Sequence, residues 1–485
     1  MDRRALIKNA GLLLTLPSFV LEGCRKGASG SALLEGVDPS ELIFNRRIKG
    51  RTPHMISSDV YGALEEAVRS NRALRVLAGG HGYVGQALVR DGVIADMRPH
   101  REVTVDEASG LVKVQAGARF IEVYKALSDD QGQLQYVLPT GDCPTVGVAG
   151  YTLGGGYGHL SRRFGLMCDN VVEMTVLVVD ADNRIVEKKL SASSPGEDAE
   201  LFWALRGFGC ARFGVVTDFT FQARKKPDNL QVYDIRLRWD LRPDEITEVI
   251  SIWQEWMRGY LDDPTISSKV AIGSGWYHIS GVHTDVAKLA SLRDRLAPFI
   301  NHAETALSLE FKVDSLTHAF KQCASLQECE AQPKQAFAAK SAFIRLADVA
   351  GNARAIADAV AARRASYDTY GGIELMAWKM QGGLNEENAF VHREHELLCQ
   401  FYTEGLADED DPWMKRIFRV VTGQDRNSTS LPGYQNYTDG TIAGAETGFP
   451  PEYLSSTPRR SGQSLSESPQ ETLNRIRGRY RNIFG

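Results

Sequence analysis

Two glycine-dense runs, RVLAGGHGYVG over residues 75–85 and TGDCPTVGVAGYTLGGGYG over 140–158, constrain this chain more than any other feature. The first follows an apolar run, Val76, Leu77 and Ala78, that reads as a strand running into Gly79, Gly80 and Gly82. Backbone without Cβ atoms turns sharply and can approach a phosphate or a flat ring closely. Each run also carries one nucleophile, His81 in the first and Cys143 in the second. Alone, a glycine run marks a turn, a histidine after it a loop residue, and a cysteine in an exported protein half of a disulfide. A nucleophile beside bare backbone, twice over, points instead to two attachment points on one planar redox group.

Four further blocks follow in order: SRRFGLMCDNVVEMTVLVVDADNRIV, LFWALRGFGCARFGVVTDFTF, GGLNEENAFVHR and YQNYTD. Together with the glycine runs, the series resembles the berberine-bridge-enzyme-like branch of the vanillyl-alcohol-oxidase and p-cresol-methylhydroxylase flavoproteins, in the subset that holds FAD by two covalent bonds. The resemblance implies an 8α-histidyl bond at His81 and a 6-S-cysteinyl bond at Cys143. It further implies cofactor contacts from Gly79, Gly80, Gly82, Tyr83, Val146, Gly147, Gly150, Gly154, Gly155, Gly158, Asp169, Asn170, Gly209, Gly214, Val216 and Asn436. Two departures touch those contacts: Tyr151 stands where the family usually has histidine, and Arg212 where it has asparagine.

Hydride transfer to a flavin requires a substrate C–H aimed at the ring and a base for the hydroxyl proton. Tyr437 matches the family tyrosine in that role, and Tyr157 a second tyrosine near the substrate. Gln400 stands where the plant berberine bridge enzyme has its carboxylate, which shifts the base role to tyrosine. A free phenol titrates near 10, so one of the two is expected to be tuned by its surroundings. Val146 matches a position where a small side chain admits oxygen to the reduced flavin, which favours an oxidase. Along ELMAWKMQGG, strand alternation turns either Met376, Trp378 and Met380 or Ala377, Lys379 and Gln381 toward the flavin. Alignment on the following glycines favours the Lys379 face, with Leu398 and Gln400 on the neighbouring strand.

The expected fold is α+β, with a two-part FAD-binding domain and a substrate domain of antiparallel sheet covered by helices. Short β-branched runs alternating with helical pieces place the FAD-binding domain at 45–226, with VLVVDADNRIVE as a hairpin. Longer amphipathic helices between strands place the substrate domain at 227–430, and the resemblance returns 431–485 to the FAD domain. The cluster Asp408, Glu409, Asp410 and Asp411 reads as charge at a helix N-terminus before Pro412.

The 485 residues carry a formal net charge of -5 with no basic stripe, which argues against a nucleic-acid partner. Neither CxxC pairs nor an HExxH helix occurs, so no metal is expected. Residues 1–30, with Arg3, Arg4, an apolar stretch from Leu12 to Leu21 and then Cys24, read as a twin-arginine export signal, with Cys24 a candidate for lipid attachment. Cys323 and Cys329 are close enough to bridge in an oxidising compartment, whereas Cys168, Cys210 and Cys399 read as small buried hydrophobes. The expected function is an exported FAD oxidase that converts an alcohol of a sugar, a glycosylated natural product or an aromatic alcohol to a carbonyl, reducing O2 to hydrogen peroxide. Oxidative cyclisation or dehydrogenation of a secondary metabolite is the alternative within the same chemistry. A flavin-loaded binding protein is the alternative outside it, and Tyr437 argues against that.

Overall fold

A computed structural model describes residues 38–484 apart from 210–212, 275, 322, 324, 366–370, 383–386, 406–410, 424–432, 439–468 and 482. The expected export segment with Cys24, together with Cys210, Arg212 and the acidic residues Asp408, Glu409 and Asp410, lies outside the described residues.

Strands β1 (Met55–Ser57), β2 (Leu74–Leu77) and β3 (Val93–Asp96) form a small parallel sheet in the order β1-β3-β2. The helix Val60–Ser70 makes that parallel crossover possible. Asp59 caps it by accepting from the Gly62 amide at 3.0 Å, and Asn71 ends it in a left-handed conformation at φ 51°. Next come β4 (Val103–Asp106), β5 (Leu111–Gln115), β6 (Tyr136–Val137), β7 (Val171–Val179), β8 (Ile185–Ser191), β9 (Val215–Gln222) and β10 (Arg224–Lys225). Five of these make an antiparallel sheet in the order β4-β5-β9-β7-β8, while β6 pairs with β10. The β7–β8 hairpin turns through Ala181, Asp182 and Asn183, with Asn183 at φ 64°.

A separate seven-stranded sheet is built from β11 (Gln231–Arg236), β12 (Ile266–Gly273), β13 (Tyr277–His283), β14 (Ala306–Glu310), β15 (Phe337–Ile344), β16 (Gly371–Ala377) and β17 (Leu397–Glu404). All its pairs are antiparallel, in the order β14-β11-β13-β12-β16-β17-β15. Alternate residues such as Val270, Ile272, Ile373, Leu375, Cys399 and Phe401 pack beneath the helices Pro243–Arg258, Leu346–Ala365 and Pro412–Thr422. The last helix starts on Asp411, whose carboxylate accepts from the amides of Trp413 and Met414 at 2.8 and 3.1 Å. With one face of the sheet covered, the residues between these apolar positions point the other way and are left to form a wall.

Leu473, Ile476, Ile483 and Phe484 pack into the first core, and the Leu74 amide donates to the Ile483 carbonyl at 2.6 Å. Cys323 and Cys329 form a disulfide, and Cys168 and Cys399 are buried thiols. Among the described residues no cluster of three His, Cys, Asp or Glu is set to hold a metal, and no helix is long and apolar enough to cross a membrane.

Candidate active site

The two glycine-rich loops press on each other. A Cβ on Gly79 would lie 2.2 Å from the Gly147 nitrogen, and one on Gly147 would lie 2.4 Å from that of Gly79. Only a glycine at each place allows this approach of backbone to backbone. The contact brings the nucleophiles together: Thr145 Oγ1 is 3.0 Å from His81 Nε2 and 3.2 Å from Cys143 Sγ. The His81 ring stacks on Phe44 with centroids 4.5 Å apart. Both nucleophiles line a cleft of about 990 Å³ that also takes in Gly80, Gly82, Val146, Gly150 and Val216.

The cleft is also lined by the seven-stranded sheet and by Gln435, Asn436 and Tyr437. Tyr83 stacks on Tyr437 with centroids 5.5 Å apart and planes at 9°. Its hydroxyl accepts from Gln400 Nε2 at 2.7 Å. Tyr434 fixes the YQNY segment: its hydroxyl accepts from the amides of Gly156 and Tyr157 and from Asn436 Nδ2 at 2.9–3.0 Å. Tyr437 and Tyr157 both line the cleft, and the Tyr157 hydroxyl donates to the Ala377 carbonyl while its ring stacks on Trp378.

The expected tuning of a tyrosine toward a base runs the other way. Burial, with Tyr83 and Tyr434 alongside, pushes the Tyr437 phenol well above its ordinary value. Burial also raises Tyr157 against the pull of Arg162, and burial together with the Glu374 charge raises Tyr83.

A buried ionic cluster lining the same cleft escaped the sequence reading. Lys269 on β12, its side chain 3% exposed, donates to Asp142 Oδ2 at 2.7 Å and to Glu374 Oε1 at 3.4 Å. Asp142 Oδ1 lies 3.3 Å from His159 Nε2, and His159 Nδ1 lies 3.0 Å from Ser267 Oγ. Burial opposes the charge on Asp142, but Lys269 and His159 outweigh it and hold the carboxyl well below its ordinary range. A lone lysine in the strand ISSKVAIG, buried along its whole length, was the available signal. Arg75, Arg98, Arg101, Arg119 and Lys334 also line the cleft and were not singled out from sequence.

Several expected contacts fall elsewhere. Strand β16 ends at Ala377, so Glu374 and Met376 face the cleft, and the alternation expected through Lys379 does not reach it. Lys379 pairs with Asp262, and Gln381 also turns to Asp262. Trp378 is fully buried, its indole N–H donating to the His392 carbonyl at 2.7 Å, and Leu398 packs with it in an apolar cluster. Asp169 and Asn170 do not line the cleft. Asp169 accepts from Arg393 at 2.6 and 3.0 Å and from Asn388 at 2.5 Å, which ties down the 387–393 loop. Asn170 donates to the carbonyls of Phe164 and Leu166. Gly154, Gly155, Gly209 and Gly214 serve packing. A Cβ on Gly154 would meet Asn436 Oδ1 at 1.9 Å, one on Gly155 the Phe390 ring at 2.6 Å, and one on Gly214 Val176 at 2.6 Å. Gly209 is buried at φ 106°, its amide donating to the Leu153 carbonyl at 2.8 Å. Gly158 borders the cleft, but a Cβ there would meet the Thr140 carbonyl at 1.8 Å. Tyr151, in the usual histidine position, donates to the Pro139 carbonyl at 2.9 Å.

Residues 57–188 match the family model described as FAD binding domain. Berberine bridge enzyme-like 8 of Arabidopsis thaliana is 35% identical over 202 residues, which is 41% of this chain and 36% of that protein. The chain therefore matches well under half the length of this curated relative. Berberine-bridge-enzyme-like 1 of Physcomitrella patens superposes with a TM-score of 0.70 at 23% identity, covering 87% of this chain and 92% of that one. Glucooligosaccharide oxidase from Acremonium strictum, described with a 6-S-cysteinyl, 8α-N1-histidyl FAD, superposes with a TM-score of 0.69 at 22% identity, covering 87% and 91%. In its FAD-binding part this chain is akin in sequence to the berberine-bridge-enzyme-like FAD-linked oxidoreductases, and over most of its length it has their fold.

Proposed function

We propose that the protein is an FAD-dependent oxidase that converts an alcohol group of a sugar, a glycosylated natural product or an aromatic alcohol to a carbonyl, with O2 reduced to hydrogen peroxide. The observation that carries this reading is a single cleft lined by His81 and Cys143 together with Tyr437, Tyr83 and Gln400. The cleft fits the cofactor, because two nucleophiles converge on one hydroxyl beside backbone stripped of Cβ atoms, and basic side chains line it, among them Arg75 and Lys334, with Arg98 and Arg119 held by Asp96 and Glu122. FAD bound there supplies the hydride acceptor.

The chain's own residues do the rest. Gln400 holds the Tyr83 hydroxyl, and Tyr83 holds the Tyr437 ring flat against it, so the Tyr437 oxygen is presented to a substrate hydroxyl at a fixed place. A neutral phenol accepts no proton, so Tyr437 acts as the base only in its ionised form. Tyr157 keeps its hydroxyl on a backbone carbonyl and shapes the pocket beside Trp378.

Acid precipitation tests the attachment. Yellow protein in the pellet, with flavin wholly released only by His81→Ala combined with Cys143→Ala, is the expected result; free FAD above precipitated wild type would refute it. Peroxide release from a panel of sugars and aromatic alcohols tests the reaction, and no release from any of them would turn the reading toward dehydrogenation with another acceptor. The reading includes export, which the Cys323–Cys329 disulfide supports. A reporter fused to residues 1–30 that reaches the same compartment after Arg3 and Arg4 are changed to Lys would remove the twin-arginine route.

A further inference from the structure

The residue before Cys143 is tied to the substrate sheet in two places. Asp142 takes the Lys269 ammonium at 2.7 Å through one carboxylate oxygen, and His159 at 3.3 Å through the other. His159 is in turn held by the Ser267 hydroxyl at 3.0 Å and by stacking on Phe320 with centroids 3.9 Å apart. Ser267 and Lys269 stand two apart on β12 and so project from the same face of the sheet. The fixed points of the loop carrying Cys143 therefore lie on a strand of the seven-stranded sheet.

We propose that Lys269 is a positioning residue for the cysteinyl attachment: through Asp142 it sets where the Cys143 sulfur stands when the flavin bond forms. The inference rests on the reading of Cys143 as a flavin anchor. In net terms one C–S bond replaces the thiol S–H and one ring C–H. The two protons and two electrons released reduce dioxygen, the oxidant, to hydrogen peroxide. Nothing in that balance is supplied by Lys269, whose part is geometric. A buried ion pair suits the task because its partners are costly to separate, which fixes the loop more firmly than a surface contact would. Glu374, 3.4 Å from the same ammonium, keeps Lys269 directed at the cleft side of the sheet.

The test uses His81→Ala, in which Cys143 is the remaining anchor, and follows acid-stable flavin on the Cys143 peptide over time with added FAD. Adding Lys269→Met should slow attachment about 10²-fold, the usual effect of displacing a reacting group by about 1 Å. Lys269→Arg, which keeps the charge and the reach, should restore most of the rate, whereas a residue important only for packing would not be rescued by charge. Equal attachment with and without Lys269→Met would overturn the inference while leaving Cys143 an anchor. Loss of all flavin in His81→Ala alone would overturn the anchor reading and this inference together. If Lys269→Met fails to accumulate as folded protein, the isosteric Asp142→Asn decides the matter, since normal attachment in that variant overturns the proposal.

Discussion

His81 and Cys143 meet on one hydroxyl, that of Thr145, at 3.0 and 3.2 Å. Two nucleophiles far apart in sequence are thereby oriented by a single side chain, two residues beyond one of them. Thr145→Val keeps the shape and removes the shared hydroxyl. Acid-stable flavin should then accumulate about tenfold more slowly, in line with about 1.4 kcal/mol of lost hydrogen bonding. Wild-type accumulation would show that the hydroxyl orients neither side chain.

The raised proton affinity of Tyr437 gives its role a pH signature. If the phenolate is the reactive form, the anaerobic flavin-reduction rate should rise with pH and still be rising near pH 10, the ordinary phenol value. Tyr437→Phe should lower the rate by about 10²–10⁴-fold and abolish the slope, with a much smaller effect on substrate affinity. Tyr157→Phe should be milder, because its hydroxyl is already committed to Ala377. Stopped-flow reduction of both variants would reverse the assignment if the Tyr157 variant collapsed and the Tyr437 variant did not.

Asp142 ties stability to pH. Its folded carboxyl titrates well below the ordinary value, so its contribution is complete above about pH 4 and is lost as pH falls through the depressed value. Asp142→Asn should cost about 3 kcal/mol at neutral pH, since it leaves Lys269 buried with Glu374 as its remaining carboxylate. The variant should also lose part of the acid-side decline in stability. Denaturant melts of both proteins at pH 7 and pH 3 would check this, and parallel pH dependence would refute it.

Val146 borders the cleft and its carbonyl receives the Phe120 amide, so its backbone is fixed and only the side chain is in question. Val146→Leu should slow reoxidation in air while leaving the anaerobic reduction step unchanged. Equal reoxidation rates would remove this side chain from oxygen access.

Local pattern and local chemistry made much of the molecule legible in sequence. The helix Val60–Ser70, the β7–β8 hairpin and the helix begun by Asp411 each declare themselves through caps, turns and periodicity within a few residues. The glycine loops were legible as a place, but the reason for individual glycines was not: Gly154 makes room for Asn436, nearly three hundred residues away in the chain. The phase of β16 failed for a related reason. Nothing within ELMAWKM marks Ala377 as its last strand residue or shows that the Trp378 indole is buried on the His392 carbonyl. The Asp142–Lys269 contact joins a loop of the glycine-rich part to β12 of the seven-stranded sheet, and no periodicity within either strand or loop announces a distant partner.

The backbone bond from Leu74 to Ile483, with Phe484 bordering the cleft, also has a bearing on biosynthesis. The strand that leads into the His81 loop is completed by residues that leave the ribosome more than four hundred positions later. Vectorial folding can shape the early helices and hairpins, but it cannot close this pocket while synthesis continues. The cleft is therefore completed only late in synthesis, and a ribosome stalled before residue 433 would hold a chain with His81, Cys143 and Tyr83 made and Tyr437 still missing.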